Sequence, residues 1–411
     1  MCTLHVLPDE RLGMRTTNTR AGCKTWVEEE MEGCQFGDER LGKRARTMIG
    51  QMAARVGASI PPACQDWADT KAACRFFSNE AVSGTEILGG HFAAARERMA
   101  VAGERVLVLH DTTEFSCQRE SESALGLLKR LPGRRDQYGR LREITPRGIL
   151  MHFCTAAELR THFLVRTCVD RLAGPEGETI ADAMGRASIR GVHRIAFKDR
   201  KGADCEAVLE IKFRQIKVHP PIGKQSRYPA LRLTVIHALE RGTPEGRERI
   251  EWKLVTSLPA GTRAEAVEKL DWYAMRWKTG VFHKILKSGC KAEESGLRTS
   301  ERLASFIALC CIVSWRIFWM TMPRRIAPDA SPAAALSETE ILLLDTLAKA
   351  KPAAPPTDGT LADYLLTIAR LGGCLARASD PPPGNIVLWR GLSRLTDIHP
   401  GFSLGSQLVG N

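Results

Sequence analysis

Asp111 is the first residue whose setting suggests chemistry. It closes the apolar run RVLVLH at 105–110 and is followed by Thr112, Thr113 and Glu114. An aspartate at the carboxyl end of a strand sits at a sheet edge, where its oxygens can ligate a divalent cation. A turn or cap residue leaves the same trace, so both readings stay open at this point. The second stretch is WYAMRWKTGVFHKILKSG, 272–289. Read as one helix, it puts Tyr273, Arg276, position 280 and Lys287 on a related face, because residues three, seven and fourteen apart recur at close to whole turns. Residues 271–291 hold five Lys/Arg and one acid, Asp271. A solvated basic face is the plain explanation. Phosphate contacts from Arg276, His283, Lys284 and Lys287 explain it better, since Trp272, Trp277 and Phe282 interleave with the cations. His110 and His152 read as packing residues of a strand end and a sheet, and Trp315, Phe318 and Trp319 as core.

These residues need elements to hold them. The chain has 411 residues, enough for two or three domains, and 44% hydrophobic with 26% charged residues excludes a disordered chain, a collagen-like fibre and a membrane bundle. Fifty-nine Lys+Arg against 47 Asp+Glu give a net charge of +12, a lean towards a polyanionic partner. Thirteen cysteines without a C-x-x-C argue for reduced thiols in a cytoplasmic protein. Asp9 and Glu10 stand where an export signal would need its apolar core. The most apolar segment, 305–322, is interrupted by Arg316 and reads as a buried helix. Residues 25–100 carry helical periodicity, with Phe36, Leu41, Ile49 and Met52 set among Lys43, Arg44, Arg46 and Arg55. Strands are expected at 105–110, 148–154 and 162–168, with an Arg-rich connection over 118–147. A β-rich block follows from about 192 to 257. Helix returns at Thr262, which forms a capping box with Glu265, and again at about 299–322 and in LADYLLTIARLGG.

Several of these pieces, taken together, resemble one family. FGDERLGKRA (36–45), CRFFSN (74–79), VLHDTTEF (108–115), WKLVTSLP (252–259), Tyr273-x2-Arg276, FHKILKSG (282–289) and IARLGG (368–373) occur in an order similar to that of bacterial insertion-sequence transposases. The branch resembled is the cut-and-paste D-D-E group with a Y-(2)-R-(3)-E-(6)-K signature. The resemblance spans roughly residues 25–395. It implies an α/β fold: an RNase H-like mixed-sheet core with a β-rich insertion, a helical N-terminal DNA-binding domain and a helical C-terminal dimerisation region. The boundaries it suggests are an irregular 1–24, a DNA-binding domain at 25–100, the first part of the core at 101–168, the insertion at 169–260, the helical remainder of the core at 261–325, and the dimerisation region at 326–411. By the same resemblance Asp111 is the first metal-binding carboxylate, with Mg²⁺ or Mn²⁺ the cofactor of intact relatives. Tyr273, Arg276 and Lys287 hold phosphates of the transposon end, Trp252 stacks on a flipped base, and Lys43 and Arg44 in the head contact the terminal repeat. The implied partners are double-stranded DNA and a second protomer, as a homodimer or a heterodimer with full-length relatives, in the cytoplasm at the nucleoid and with no membrane.

The departures from that pattern decide what is expected of this copy. The signature glutamate belongs four residues after Arg276, where Gly280 stands without a carboxylate. Asp271 lies too far back to replace it, and Glu293 and Glu294 too far on. The second aspartate is missing as well. Only Cys154–Thr161 separates two expected strands, and a strand, helix and strand together need about 25–30 residues. An internal deletion at about Ala156–Glu158 accounts for this, and HFLVR is then expected to pair beside RVLVLH. Cys168-Val169-Asp170-Arg171 imitates the lost segment. Phosphodiester chemistry in such sites uses two divalent ions about 3.5–4 Å apart, which Asp111 alone cannot position. The expectation is a DNA-binding chain with no catalysis and no productively bound metal. The alternatives are an active enzyme using substitute acids such as Asp170 and Glu293, a non-catalytic inhibitor that forms heterodimers with full-length transposase, and a decayed product that does not fold.

Overall fold

The computed structural model describes residues 26–55, 60–64, 66–101, 106–109, 111–117, 131–135, 141–144, 147–152, 162–174, 177–198, 203–297, 299–322, 329–349, 359–377, 380 and 383–409. His110, residues 1–24, the proposed deletion point at 156–158, and Arg119, Lys129, Arg130 and Arg140 lie outside the described residues. The chain divides into two compact units, one made of residues 1–155 with 278–411 and the other of 156–277.

The first unit opens with a helical head: α1 (Trp26–Met31), α2 (Glu39–Ala54), α3 (Ile60–Cys64), α4 (Trp67–Phe77) and α5 (Gly84–Val101). Asp38 caps α2 by accepting from the Arg40 N–H, and Asp66 caps α4 by accepting from the Asp69 N–H. Ala45, Met48, Ile49 and Met52 fall on the buried side of α2, as helical spacing requires. They meet α9 (Ser300–Thr321), which is apolar all round and buried nearly all round. By length and composition alone α9 could cross a membrane, but here it is the central helix of a packed core. Phe77 packs edge-on against Phe306 at 5.7 Å. A charged cluster also ties the head to α9. Glu30 accepts from His91 at 2.6 Å and from Arg98 at 2.8 Å, and the Arg98 guanidinium lies 5.5 Å over the Trp315 ring. Burial pushes the Glu30 carboxyl up, but the His91 bond and the Arg98 charge outweigh it and hold the pKa at about 2.

The same unit carries β1 (Thr112–Cys117), β2 (Leu131–Arg135), β3 (Leu141–Ile144) and β4 (Arg147–His152). β1 pairs antiparallel with β4, from Thr112 opposite His152 to Cys117 opposite Arg147, and β2 pairs antiparallel with β3. Two expectations change here. Among the described residues of the apolar run before Asp111, Val106–Leu109, only Val108 forms a bridge, and the strand β1 begins after Asp111. Asp111 therefore precedes a strand instead of ending one, because the ladder forms where β4 takes the backbone hydrogen bonds and not where the side chains are most apolar. The Arg-rich connection holds a hairpin, β2–β3, which its polar side chains did not announce. The mixed core sheet is represented among the described residues by antiparallel ladders.

The second unit is a five-stranded antiparallel sheet in the order β5-β9-β8-β7-β6. Its strands are β5 (Leu164–Arg166), β6 (Gly191–Lys198), β7 (Asp204–Val218), β8 (Leu231–Glu240) and β9 (Glu251–Thr256). Alternation makes it two-faced. Leu209, Ile211, Phe213, Ile236 and Leu254 face α7 (Arg263–Ala274) through Ala266 and Leu270. Ile216, Val235 and Val255 bury with Ile180, Ala183 and Met184 of α6 (Ile180–Gly185). The Thr262–Glu265 capping box forms as expected. Among the described residues HFLVR takes its ladder partner from β9, where the expectation was the 105–110 run. Leu164 stands opposite Thr256 of β9, and the Thr256 hydroxyl donates to the Phe163 carbonyl at 2.5 Å.

The expected single helix over 272–289 is two helices, α7 and α8 (Trp277–Cys290). The Met275 N–H is shared between the Asp271 and Trp272 carbonyls, and the Arg276 N–H donates to Tyr273 at 3.0 Å. That three-residue closure ends α7 before α8 starts. After α9, the first unit ends with α10 (Glu338–Lys349), α11 (Leu361–Leu371) and α12 (Asn385–Val409). Helical N- and C-terminal regions thus flank a central β region.

Candidate nucleic-acid interface

The head presents its cations unevenly. On α4, Ala73, Phe76 and Phe77 are buried, so Trp67, Lys71, Cys74 and Arg75 point outwards. Trp67 is 79% exposed, a large indole held in water at the start of a capped helix. Residues spaced by four and eight along one outer face make a row of indole, ammonium and guanidinium, suited to phosphates and base edges. The sequence resemblance assigns this role to Lys43 and Arg44, which fall on α2. There, Lys43 is exposed and pairs with Glu39 at 3.0 Å. Arg44 is turned inwards: it donates to Asp69 of α4 at 2.6 Å, and Gln51 donates to the other oxygen at 2.5 Å. The Arg44 guanidinium, then the Gln51 amide, hold the Asp69 carboxyl below the usual carboxylate range. Arg44 is therefore a clamp between two helices, and the outward row on α4 is not among the residues singled out from sequence. Its trace was present in the spacing of Trp67, Lys71 and Arg75 against Ala73 and Phe76.

In the first unit, Asp111 lies within electrostatic reach of His283 on α8. Burial lowers the His283 pKa, with Lys287 acting in the same direction and Asp111 against it. Lys287 is bound to β1: its ammonium donates to the Glu114 carbonyl, lies 5.5 Å over the Phe115 ring and stands 3.7 Å from Glu293. Glu293 in turn accepts from the Ser116 N–H at 2.8 Å. The acid offered as a substitute ligand is thus engaged in fastening β1. Lys284 is exposed on the same helix, as is Gly280, where an added Cβ meets nothing within 4 Å. Among the described residues no group of three or more His, Cys, Asp or Glu gathers as a metal site.

The second unit assembles three of the other expected residues. Trp252 of β9 meets Tyr273 edge-on at 5.3 Å, and the Arg276 guanidinium lies 6.0 Å from the Tyr273 ring. Asp170 accepts from the Ala181 N–H at 3.0 Å, at the start of α6, a local structural task. Asp271 pairs with His193 at 3.0 Å. Cys34, Cys64, Cys74, Cys168, Cys205, Cys290, Cys310, Cys311 and Cys374 are reduced thiols.

The α1–α4 segment with its outward row lies within a stretch that matches a known family. Residues 23–82 match the family model described as transposase DNA-binding, so this segment is a transposase DNA-binding domain.

Proposed function

We propose that this chain binds double-stranded DNA as a transposase-family protein and does not cut it. The observation that carries the binding reading is the outward row Trp67, Lys71 and Arg75 inside the matched segment. In this reading β1–β4 and α8 are what remains of an RNase H-like core, Trp252, Tyr273 and Arg276 receive a transposon end, and the C-terminal helices join two protomers at the nucleoid.

The loss of catalysis rests on the donor set. A two-ion site needs several carboxylates to anchor near-octahedral metal. Beside Asp111, α8 offers a buried imidazole and an ammonium bound to β1, with a glycine at the signature position. Those residues do not fit a pair of Mg²⁺ or Mn²⁺ ions.

A salt series with the full chain and a fluorescently labelled duplex tests the binding reading. Wild type is expected to bind with affinity falling steeply in salt. Lys71→Ala/Arg75→Ala should cost about tenfold in affinity and reduce the slope of log K against log salt by roughly 2, two phosphate contacts being lost. Arg44→Ala should instead lower the melting temperature more than the affinity of the folded fraction. Failure of the wild-type chain to bind the duplex at any salt contradicts the proposal.

A further inference from the structure

The β7–β8 hairpin outruns the sheet it belongs to. β7 is 15 residues long and β8 is 10, yet the face packed against α7 ends at Phe213 opposite Ile236. Beyond that pair the chain continues to a tip at 219–230. From Ile211 to Leu239 the sequence holds six cations, Lys212, Arg214, Lys217, Lys224, Arg227 and Arg232, and no acid. A surface that serves only solubility mixes both signs; this one carries one sign over 29 residues. Lys212 has a structural use, since its ammonium donates to the Met184 and Gly185 carbonyls at the end of α6. The other five are exposed. Lys217 stands directly opposite Arg232 across the ladder, an arrangement of like charges that costs stability and that an anion relieves.

The tip itself is built. Pro220, Pro221 and Pro229 restrict its backbone. Gly223 takes the positive φ of +83° that the turn demands. The Lys224 N–H donates to the Pro221 carbonyl at 2.9 Å, and the Arg227 and Tyr228 N–H groups both donate to Lys224 at 3.1 Å. At its end Ile222 is 84% exposed, while the Arg227 guanidinium lies 5.3 Å over the Tyr228 ring. A rigid turn that holds one aliphatic side chain in water, with cations on both flanking strands, has the make-up of a groove-inserting wedge. A membrane anchor would need a broad apolar face, and this tip has one aliphatic residue at its apex, with only Tyr228 and Leu231, each about half exposed, behind it.

We infer that the β7–β8 hairpin is a second DNA-contact arm, with Lys217, Lys224, Arg227 and Arg232 on phosphates and Ile222 inserted in the minor groove. The inference rests on the DNA-binding reading of the head and adds a contact in a different unit. The test uses the full chain, a labelled mixed-sequence duplex and anionic phosphatidylserine vesicles. Lys224→Ala/Arg227→Ala/Arg232→Ala should lower the salt slope by roughly 3 and weaken binding, with the melting temperature not lowered, because all three side chains are exposed and the Lys217–Arg232 repulsion is removed. Ile222→Ser should weaken binding several-fold at every salt concentration and leave the slope as it is. If wild type binds the duplex and both hairpin variants match it in affinity and slope, the arm is overturned and the head reading stands. If wild type fails to bind the duplex, both fall. Hairpin-dependent binding to vesicles, with DNA binding unaffected by the same variants, overturns the arm in favour of a lipid surface.

Discussion

Gly391→Ala is expected to destabilise the first unit by about 4 kcal/mol or more, at the extreme of what single substitutions do. Helices α11 and α12 cross at two glycines. A Cβ on Gly391 would land on the Ile368 carbonyl oxygen, and one on Gly372 would land on the Val387 carbonyl oxygen. Neither obstacle is a side chain that can swing away. The Ile368 carbonyl also accepts the Gly372 N–H at 3.0 Å, so moving it unravels the end of α11. Relief requires the helices to part, and that uncovers Leu365, Ile368, Leu388 and Leu392, all buried. Urea unfolding measures the shift, with the exposed neighbour Arg390→Ala as the control expected to lie within about 0.5 kcal/mol of wild type. An unchanged midpoint for Gly391→Ala would show that α11 and α12 do not approach this closely.

Trp389→Ala should cost about 3–5 kcal/mol, the range for removing a large aromatic from a packed core. The indole is 2% exposed, donates its N–H to the Ala53 carbonyl at 3.2 Å and covers Gly289 of α8. It therefore ties the C-terminal helix to both the head and the helix bearing His283 and Lys287. The contact predicts strong non-additivity. Gly289→Ala alone should be severely destabilising, because its methyl group would occupy the space of the indole ring. In a Trp389→Leu background the same substitution should cost much less, since the smaller side chain leaves room for it. Equal costs in the two backgrounds would contradict the packing.

The parts of the fold that were legible in sequence are those set by local chemistry. Thr262 and Glu265 announce the start of α7 because a capping box needs only residues three apart. β6 to β9 show in alternation that continues long enough to be unambiguous. α9 is marked by the length of its apolar run. What was missed depends on partners distant in the chain. HFLVR is a strand in either reading, but its neighbour, some 90 residues on at β9, is chosen by tertiary packing. The strand after Asp111, TTEFSC, is more polar than the run before it and exists because β4 pairs with it. The break at Met275–Arg276 carries neither glycine nor proline, the usual sequence marks of a helix end.

The candidate site divides in the same way. The identities of Asp111, Gly280 and the Trp252, Tyr273, Arg276 trio could be read directly, and the trio meets in space. In the head, the outward face of Lys71 and Arg75 shows in their spacing against Ala73 and Phe76, whereas the inward turn of Arg44 depends on Asp69 of another helix. Glu293 illustrates the limit: a spare acid in sequence, it fastens β1 and Lys287 in the fold.

The central claim is that this chain holds DNA without cutting it. The direct measurement incubates purified full-length chain with supercoiled plasmid in Mg²⁺ and, separately, in Mn²⁺, and reads plasmid topology beside DNA binding, with Asp111→Ala run in parallel. Bound plasmid is expected to stay as supercoiled as in metal-free controls. Metal-dependent nicking above that background, lost in Asp111→Ala, would contradict the claim.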